Sequence, residues 1–281
     1  MEALRSTPEN VFKPGEAAIS FDWVTIPGGE FIMGSDTKYD PEASQNEMPQ
    51  HKLYLAEYRI ARVPVTVAQF AQFASATGYR TRAEQEGGAW VWNGSGFDWV
   101  EGANWQHPRG PGDRVANQPS HPAATLSWHD AQAFCRWAGV RLPTEAEWEK
   151  AARGTDGRIW PWGDNPPDDT LCNFNNRVGT TTPVGSYVEG KSPYGMLDMA
   201  GNVWEWVSSL WGMRENTPDY GYPYDRDDGR EHPEEPDAVM RVLRGGAWDQ
   251  KRGRVRCASR GMCDPSHSAD VGGFRVVSGG G

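Results

Sequence analysis

The sequence has little basic charge and no long apolar run. Its 281 residues carry 28 Lys and Arg against 38 Asp and Glu, a formal net charge of −10. Nucleic-acid binders normally present a basic face, so this balance argues against a nucleic-acid partner. No apolar run approaches the ~20 residues that span a bilayer, and the opening MEALRSTPENVFKPGEAA lacks the apolar core of a signal peptide. We therefore expect a soluble, cytoplasmic protein with no membrane partner.

Cysteine is scarce, and its spacing suggests no pairing. Cys135, Cys172, Cys257 and Cys263 form no CxxC motif, and the six histidines show neither HExxH nor zinc-finger spacing to a cysteine. A chain of this length does not need disulfides, and zinc needs clustered Cys and His ligands. GxSxG and the Walker-type phosphate loop are also missing from the sequence. We expect isolated, reduced cysteines.

Turn-forming residues and tryptophan are abundant instead. The chain has 33 Gly, 21 Pro and 14 Trp, while only 37% of its residues are hydrophobic. This composition favours many turns, little regular secondary structure and large aromatic anchors in the core. The length suffices for a sizeable core, and neither an internal repeat nor a clean linker divides the chain. We predict a loose lead-in over residues 1–20 and one domain over 21–281.

Local patterns predict a few strands and three helices. FDWVTIPGGEFIMGS is typical of two short strands around a turn, and HKLYLAEYRIARVPVT of an extended segment. Three helix starts carry capping residues and two helix ends carry a glycine: Thr66 with Gln69 and Gly78, Ser127 with Gly139, and Thr144 with Glu147. Cys135 lies on the apolar stripe of the second helix, so we expect it in the core.

Two long polar insertions interrupt these patterns. EQEGGAWVWNGSGFDWVEGANWQHPRGPGDR carries four tryptophans and many glycines. A loop of this length is usually functional or packed on itself. Its aromatic residues either pin the loop to the body of the protein or line a groove. The second insertion, RENTPDYGYPYDRDDGREHPEEPD, is rich in Tyr, Pro and acids and is predicted to be a surface loop.

Several longer motifs follow one another in a recognisable order. They are IPGGEFIMGS, VPVTVAQFAQF, RLPTEAEWEKAARG, PWGD, YGMLDMAGNVWEWV, RVLRGGAW, RCASR and GFRVV. In this order and spacing they resemble the formylglycine-generating enzyme (sulfatase-modifying factor) family, from about residue 22 to 277. The resemblance implies the α+β, formylglycine-generating-enzyme-like C-type lectin fold, a single domain with low regular secondary structure.

The resemblance also implies structural calcium. In the family, the loop matching LDMAGNVWEW binds one ion through two side chains and two main-chain carbonyls. Here these ligands correspond to Asp198, Glu205, Gly201 and Val203. Calcium prefers six to eight oxygens and often mixes carboxylates with carbonyls. A second family site would begin at Asn173 and Phe174, but its other ligands fall where this chain is shorter. The alternative for the two acids is a capped turn beside a buried Trp204.

The family's catalytic cysteines are missing. Catalytic members hold copper with two cysteines between the Gly-Gly turn and the arginine-rich strand, and soft thiolates suit copper(I). Here that interval, AWDQKRGRVR, contains no cysteine. Cys257 matches a position that is not a copper ligand and is expected to face the core, and Cys263 lies outside the interval. A related iron-dependent branch, which makes sulfoxide precursors of ergothioneine, needs an N-terminal three-histidine bundle that this sequence does not contain. We therefore expect no copper.

The final segment, residues 240–277, resembles the variable proteins of diversity-generating retroelements. Those metal-free relatives open this segment with Gly-Gly-Ser/Ala-Trp, close it with Gly-Phe-Arg, and display changeable binding residues between the two. Aromatic and arginine anchors together with short polar side chains suit such a face. The predicted site for a protein or small-molecule ligand comprises Trp248, Asp249, Gln250, Lys251, Arg252, Arg254, Ser259, Met262, Cys263, Asp264, Ser266, His267, Ser268 and Asp270.

Some alternatives remain open within this segment. We expect residues 249–252 and 262–270 to be exposed, and Arg256, Arg260 and Arg275 to form internal salt bridges. Trp248 either anchors a ligand or is buried. Besides a non-catalytic binding domain, two hypotheses stand: an oxidoreductase of the same superfamily with an altered metal site, and an accessory domain for a partner enzyme.

Overall fold

The computed structural model describes residues 19–113, 118–232 and 235–279. Most of the predicted lead-in, residues 1–20, therefore lies outside the described residues. Within these ranges the helices are α1 (Val67–Thr77), α2 (Arg82–Glu86), α3 (Trp128–Ala138) and α4 (Glu145–Arg153). The strands are β1 (Trp23–Ile26), β2 (Gly29–Met33), β3 (His51–Leu55), β4 (Tyr58–Ala61), β5 (Gly88–Trp92), β6 (Phe97–Glu101), β7 (Val140–Arg141), β8 (Trp204–Gly212), β9 (Met240–Arg244), β10 (Arg260–Cys263), β11 (Gly272–Phe274) and β12 (Val277–Ser278).

The strands form two small four-stranded sheets and two separate strand pairs. One sheet has the order β1-β4-β12-β7, and the other has the order β10-β9-β8-β11. In the second sheet β8 is antiparallel to β9 and parallel to β11. β1 and β2 form as predicted, but they belong to different sheets, because β1 pairs with β4 while β2 pairs with β3.

The three helices that the capping residues predict are all present. Thr66, Ser127 and Thr144 each accept a hydrogen bond from the backbone of the third helical residue, whose side chain bonds back to the cap. This reciprocal bonding satisfies backbone donors that a helix start leaves free. A fourth capping box, at Thr81 and Glu84, begins the short helix α2. This helix was not predicted from the sequence, because five residues are too few to show a helical period.

Aromatic side chains dominate the core, as the composition predicts. One cluster gathers Phe70, Phe134 and Phe274 between α1, α3 and β11. A second cluster surrounds Trp148 of α4 and Trp211 of β8, both at most 1% exposed. All four cysteines are free, and the core placement expected for Cys135 and Cys257 is confirmed, at 1% and 0% exposure.

Buried ion pairs connect α4 to the second sheet. Glu145 accepts from Arg244 of β9 at 2.9 Å and from Arg260 of β10 at 2.7 Å. Arg256 pairs with Asp40 and Glu47, and Arg275 pairs with Glu205. The internal salt bridges predicted for Arg256, Arg260 and Arg275 are therefore confirmed.

The two insertions are more ordered than predicted. The first contains α2 and the hairpin β5–β6, on which Trp90 and Trp99 face each other. In the second, Tyr224 and Arg230 are buried, with the guanidinium 4.3 Å from the ring centroid. The surface-loop prediction was therefore wrong for these two residues, because the arginine is desolvated against an aromatic face. None of the helices in the described ranges has the length and apolarity to cross a membrane.

Candidate ligand-binding site

An aromatic pocket opens beside the final segment of the chain. Its volume is about 150 Å³. The apolar residues that line it include Phe97, Leu126, Trp204, Trp206, Leu243 and Val271. Gln250, Cys263 and His267 add polar atoms. An apolar cavity of about this size can hold a benzene ring, so the pocket matches a small aromatic group.

The second sheet supplies the floor of the pocket. Trp204 and Trp206 are two residues apart on β8, so their side chains lie on the same face. Leu243 of β9 and Cys263 of β10 also contribute to this floor. Gly261 permits the arrangement, because a Cβ there would lie 3.1 Å from a ring carbon of Trp204. The pocket therefore depends on strand pairing as well as on side chains.

The β5–β6 hairpin covers the other side of the pocket. The Trp90 backbone N–H donates to Ser268 O at 3.1 Å, and the Asp270 N–H donates to Trp90 O at 3.1 Å. Phe97 at the start of β6 then reaches the pocket. The ring of His267 stacks on Trp90, with 6.1 Å between centroids. An insertion far away in the chain thus completes a site that begins in the final segment.

A buried polar cluster borders this pocket. Asp270 is 2% exposed, and its Oδ1 accepts from the Trp92 backbone N–H at 3.0 Å. Its Oδ2 has no hydrogen-bond partner among the described residues, and the nearest cation, Arg109 Nε, lies 4.0 Å away. Burial raises the pKa of Asp270 to about 7; Arg109 lowers it, and Asp249 raises it further.

Asp249 and Trp248 contribute further unpaired polar atoms. Asp249 is 8% exposed, and its Oδ2 accepts from Gln250 Nε2 at 2.6 Å. Burial raises the pKa of this carboxyl as well. Asp249 Oδ1 and Trp248 Nε1 have no partner in the described part of the chain. The guanidinium of Arg109 lies 5.8 Å from the Trp248 ring centroid, so it adjoins both Trp248 and Asp270.

The predicted ligand-binding residues divide into three groups by exposure. Lys251, Arg252 and Asp264 are exposed. Gln250, Arg254, Met262, Cys263, Ser266 and His267 are half-buried. Trp248, Asp249, Ser259, Ser268 and Asp270 are buried. The structure brings Gln250, Cys263 and His267 together at the pocket, whereas Arg252 pairs with Glu42 at 2.7 Å.

The predicted exposure was wrong for Asp249, Pro265, Ser268, Ala269 and Asp270, which are buried. The β5–β6 hairpin bonds to the backbone on both sides of Ala269 and covers this stretch. Trp248 takes the buried alternative, at 1% exposure. It packs in a cluster that includes Trp204 and Ala247.

Ser259 is also misplaced in the predicted face. It is 0% exposed and lies in a tight turn, in which the Ser259 backbone N–H donates to Arg256 O at 3.1 Å. Arg256 and Arg260 on either side of it are anchored by buried ion pairs. Because both neighbours point into the protein, no surface is left at Ser259 for a ligand to contact.

Several residues of the pocket were not predicted from the sequence. Trp204, Trp206 and Leu243 lie in motifs that carry the family resemblance, and nothing in their local pattern marks them as pocket residues. Phe97 and Arg109 lie in the tryptophan-rich insertion. The alternative that this insertion lines a groove was the available signal, and it holds for Phe97. The pinning alternative holds for Trp105, which is 6% exposed in the first core cluster.

The pocket contains no activated nucleophile. Burial raises the pKa of the Cys263 thiol to about 12, so the thiolate that reacts or binds soft metals is scarce near neutral pH. Burial lowers the pKa of His267, which favours its neutral form. Burial also raises the pKa of Cys257 to about 12, and that residue is fully enclosed.

The loop implied to bind calcium fits the ion only in part. Both oxygens of Glu205 accept from Arg275, at 2.6 and 2.7 Å, and one also accepts from Trp148 at 2.8 Å. The negative charge of Glu205 is therefore already balanced by Arg275. Asp198 has a positive φ of 54° and accepts from the Gly185 N–H at 2.6 Å. Burial raises the pKa of Asp198 to about 6, and a bound cation would oppose that rise.

Among the other implied calcium ligands, two oxygens already accept a hydrogen bond and one does not. Gly201 O accepts from the Val203 N–H at 2.9 Å, and Phe174 O accepts from the Arg177 N–H at 3.3 Å. Asn173 Oδ1 is buried and finds no hydrogen-bond donor in residues 19–113, 118–232 and 235–279. Across those same ranges, no three His, Cys, Asp or Glu side chains gather as a metal site. Calcium binding stays a prediction.

Two small sheets, few helices and a pocket beside the last glycine turn place the protein in the formylglycine-generating-enzyme-like class of C-type lectin folds. The family model described as "Sulfatase-modifying factor enzyme 1-like domain" matches residues 9–279, and the chain belongs to this family.

The named relatives include a formylglycine-generating enzyme and a protein that is named as inactive. The chain is 34% identical to the formylglycine-generating enzyme of Bos taurus, over 91% of this chain and 74% of the relative. It is 32% identical to the inactive C-alpha-formylglycine-generating enzyme 2 of Bos taurus, over 92% and 88%. Among solved structures, variable protein 1 of Treponema denticola superposes with a TM-score of 0.63 at 21% identity, covering 93% of this chain and 96% of that one. That likeness concerns the fold alone.

Proposed function

We propose that this protein is a non-catalytic member of its family that binds a ligand through the aromatic pocket beside residues 240–277. The observation that carries the proposal is the composition of the pocket. It presents indole, phenyl and aliphatic groups with a single thiol, Cys263, whose pKa is raised. Concave, mostly apolar sites with a few polar groups are typical of small-molecule binding.

The missing cysteine pair supports a binding role over oxygen chemistry. The stretch AWDQKRGRVR holds no thiol. Gln250 lines the pocket from that stretch, and an amide is a poor ligand for copper(I). Lys251, Arg252 and Asp264 of the final segment are exposed and charged, which suits contacts with a protein surface.

An altered oxidoreductase is the second candidate. It is favoured by the 34% identity to an enzyme over 91% of the chain. Metal analysis of protein purified after growth with copper and iron separates the two. We expect neither metal above a tenth of the protein concentration. Stoichiometric copper or iron, together with conversion of a cysteine peptide to an aldehyde, would contradict the binding proposal.

Pocket binding is tested with a neutral aromatic probe. We expect 2-phenylethanol to bind the wild-type protein with one-to-one stoichiometry in isothermal titration calorimetry. Leu243→Trp should weaken binding at least tenfold, because the larger side chain fills a pocket of about 150 Å³. Val178→Trp is the matched control, since Val178 is 51% exposed. Unchanged binding to folded Leu243→Trp protein would remove the pocket from the site.

Calcium is proposed as a structural ion, separate from ligand binding. Asp198 would supply the charged oxygen, with main-chain carbonyls of the same loop and without Glu205. The raised pKa of the buried Asp198 carboxyl supports this choice, because Glu205 is already paired with Arg275. Bound there, calcium would hold the loop that precedes β8 in place.

A further inference from the structure

We infer that Asp249 and Asp270 form a subsite for a primary ammonium group, so that the ligand of the aromatic pocket is an amine with a small aromatic body. This inference rests on the proposed pocket function and adds the chemical class of the ligand. The two acids come from opposite ends of the final segment, and both are more than nine-tenths buried.

Unpaired oxygens are the first observation that points to a ligand. Asp270 Oδ2 and Asp249 Oδ1 are both buried and have no hydrogen-bond donor within the described ranges. Leaving such an atom without a partner costs about 1–3 kcal/mol, and more when it is charged. The other oxygen of each acid is held, by the Trp92 N–H and by Gln250. Each carboxylate is therefore fixed in place with one oxygen still able to accept.

The charge balance is the second observation. Asp249 and Asp270 bring two negative charges, and Arg109 brings one positive charge at 4.0 Å from Asp270. This distance is too long for a hydrogen bond. Arg109 is also held elsewhere, because its guanidinium donates to Gly179 O at 2.7 Å and to Trp92 O at 3.4 Å. With both acids ionised, the cluster thus has a net charge of −1, which one added cation would balance.

The surroundings favour an ammonium group over a metal ion. Two carboxylates without a third acid, histidine or cysteine beside them do not make a metal site in the described part of the chain. The side chains of Trp92 and Trp248 pack in one cluster with Ala269 and Val271, the two neighbours of Asp270, and aromatic faces attract organic cations. An ammonium group has three donors, enough for both free oxygens.

Neither acid lines the pocket itself, but residues directly beside both of them do. Gln250, which donates to Asp249, lines the pocket. Ala269 and Val271, on either side of Asp270, line it as well. Since Asp270 is 2% exposed, a small molecule reaches it more readily than the surface of a folded protein does. An aromatic body in the pocket would then place a short alkylamine at the acids.

The test compares two probes that differ in one group. 2-Phenylethylamine and 2-phenylethanol have nearly the same shape, and only the amine is cationic at pH 8. By isothermal titration calorimetry at pH 8 we expect the amine to bind wild-type protein at least tenfold more tightly than the alcohol. Equal affinities would overturn the ammonium subsite and leave the pocket proposal standing. Binding of neither probe would contradict both.

Four variants assign the effect to the acids. Asp249→Asn and Asp270→Asn should each reduce the preference for the amine to about twofold or less while keeping the affinity for the alcohol. Asp227→Asn, at an 87% exposed side chain, should keep the full preference. Arg109→Gln should tighten amine binding several-fold, because it removes a competing cation. Weaker amine binding in Arg109→Gln, or a full preference in the Asp249 and Asp270 variants, would contradict the assignment.

Discussion

At the residue scale, Asp270 shows how a site can lower the stability of its own fold. Its carboxyl is buried with one oxygen unpaired, and its pKa is raised to about 7. Natural proteins often carry such strained polar groups where they bind ligands. The cost falls on the ionised form, so it depends on pH.

Asp270→Asn is expected to stabilise the protein at pH 8 and not at pH 4. In the unfolded chain this carboxyl titrates near 3.9, below its folded pKa of about 7. Between these values the unfolded state releases its proton first, so stability falls as pH rises from about 4 to 7 and stays low above. Three pKa units correspond to at most about 4 kcal/mol. Asparagine keeps the acceptor for the Trp92 N–H and carries no charge.

The measurement is urea denaturation of both proteins at the two pH values. Arg109 and Asp249 are the charged groups that shift the pKa of Asp270. Asp227→Asn is the control for the loss of a charge at the surface. An equal difference in unfolding free energy at pH 4 and pH 8 would show that ionisation of Asp270 is not the cause.

Single residues in the final segment were predictable where their partners lie inside the fold. Arg256 and Arg260 were expected to form internal salt bridges, and both form buried ion pairs. For Ser268 and Asp270 the sequence predicted exposure, because polar residues around proline and glycine are typical of exposed loops. Their burial depends on a hairpin from a remote insertion, and local pattern carries no information about such a cover.

At the element scale, α4 holds the second sheet in place through charge. Burial alone would raise the pKa of Glu145, but Arg260 and Arg244 lower it overall. The carboxylate is 0% exposed and accepts from both arginines. Because Glu145 of α4 binds arginines on two neighbouring strands, it fixes β9 relative to β10. Both strands contribute residues to the pocket.

Glu145→Gln is expected to lower the free energy of unfolding by about 3–5 kcal/mol, because it leaves two buried guanidinium groups with a neutral partner. Chemical denaturation at pH 7 measures the change. Glu189→Gln, at an exposed position, should change stability by less than about 0.5 kcal/mol. Loss of less than about 1 kcal/mol in Glu145→Gln would mean that Glu149 alone sustains Arg244.

Helix boundaries could be predicted because their signals are local. Thr66 and Thr144 with their third-position partners mark helix starts that the structure reproduces. Strand partners could not be predicted, since β1 and β2 are neighbours in the chain and belong to different sheets. Residues 88–101 alternate as strands would, but many glycines and a polar turn made the stretch resemble an irregular loop.

At the scale of the whole molecule, the fold was predictable through resemblance and not through composition. Long motifs such as YGMLDMAGNVWEWV identified the family, and the family match over residues 9–279 confirms it. Composition and periodicity indicated short strands and many turns without a topology. The pocket could not be predicted from the sequence for a related reason. It is lined by residues such as Phe97, Trp204 and Cys263, which come together only once the chain is folded.

Calcium is expected to raise the melting temperature of the whole domain by several degrees, because a ligand that binds only the folded state stabilises it. Differential scanning calorimetry with 2 mM CaCl₂ against 2 mM EGTA measures the shift. Asp198→Asn should abolish it, whereas Asp227→Asn should not. An identical melting temperature in calcium and EGTA would contradict the calcium proposal.

The strand order β1-β4-β12-β7 has a consequence for how the protein is made. Val277 of β12 pairs with Ile60 on one side and with Arg141 on the other. The ribosome releases β4 and β7 long before it adds Val277, so both strands have an open edge while the rest of the chain is translated. Unpaired edges invite wrong partners. We therefore expect the edges of β4 and β7 to be open to wrong pairing until β12 has been translated.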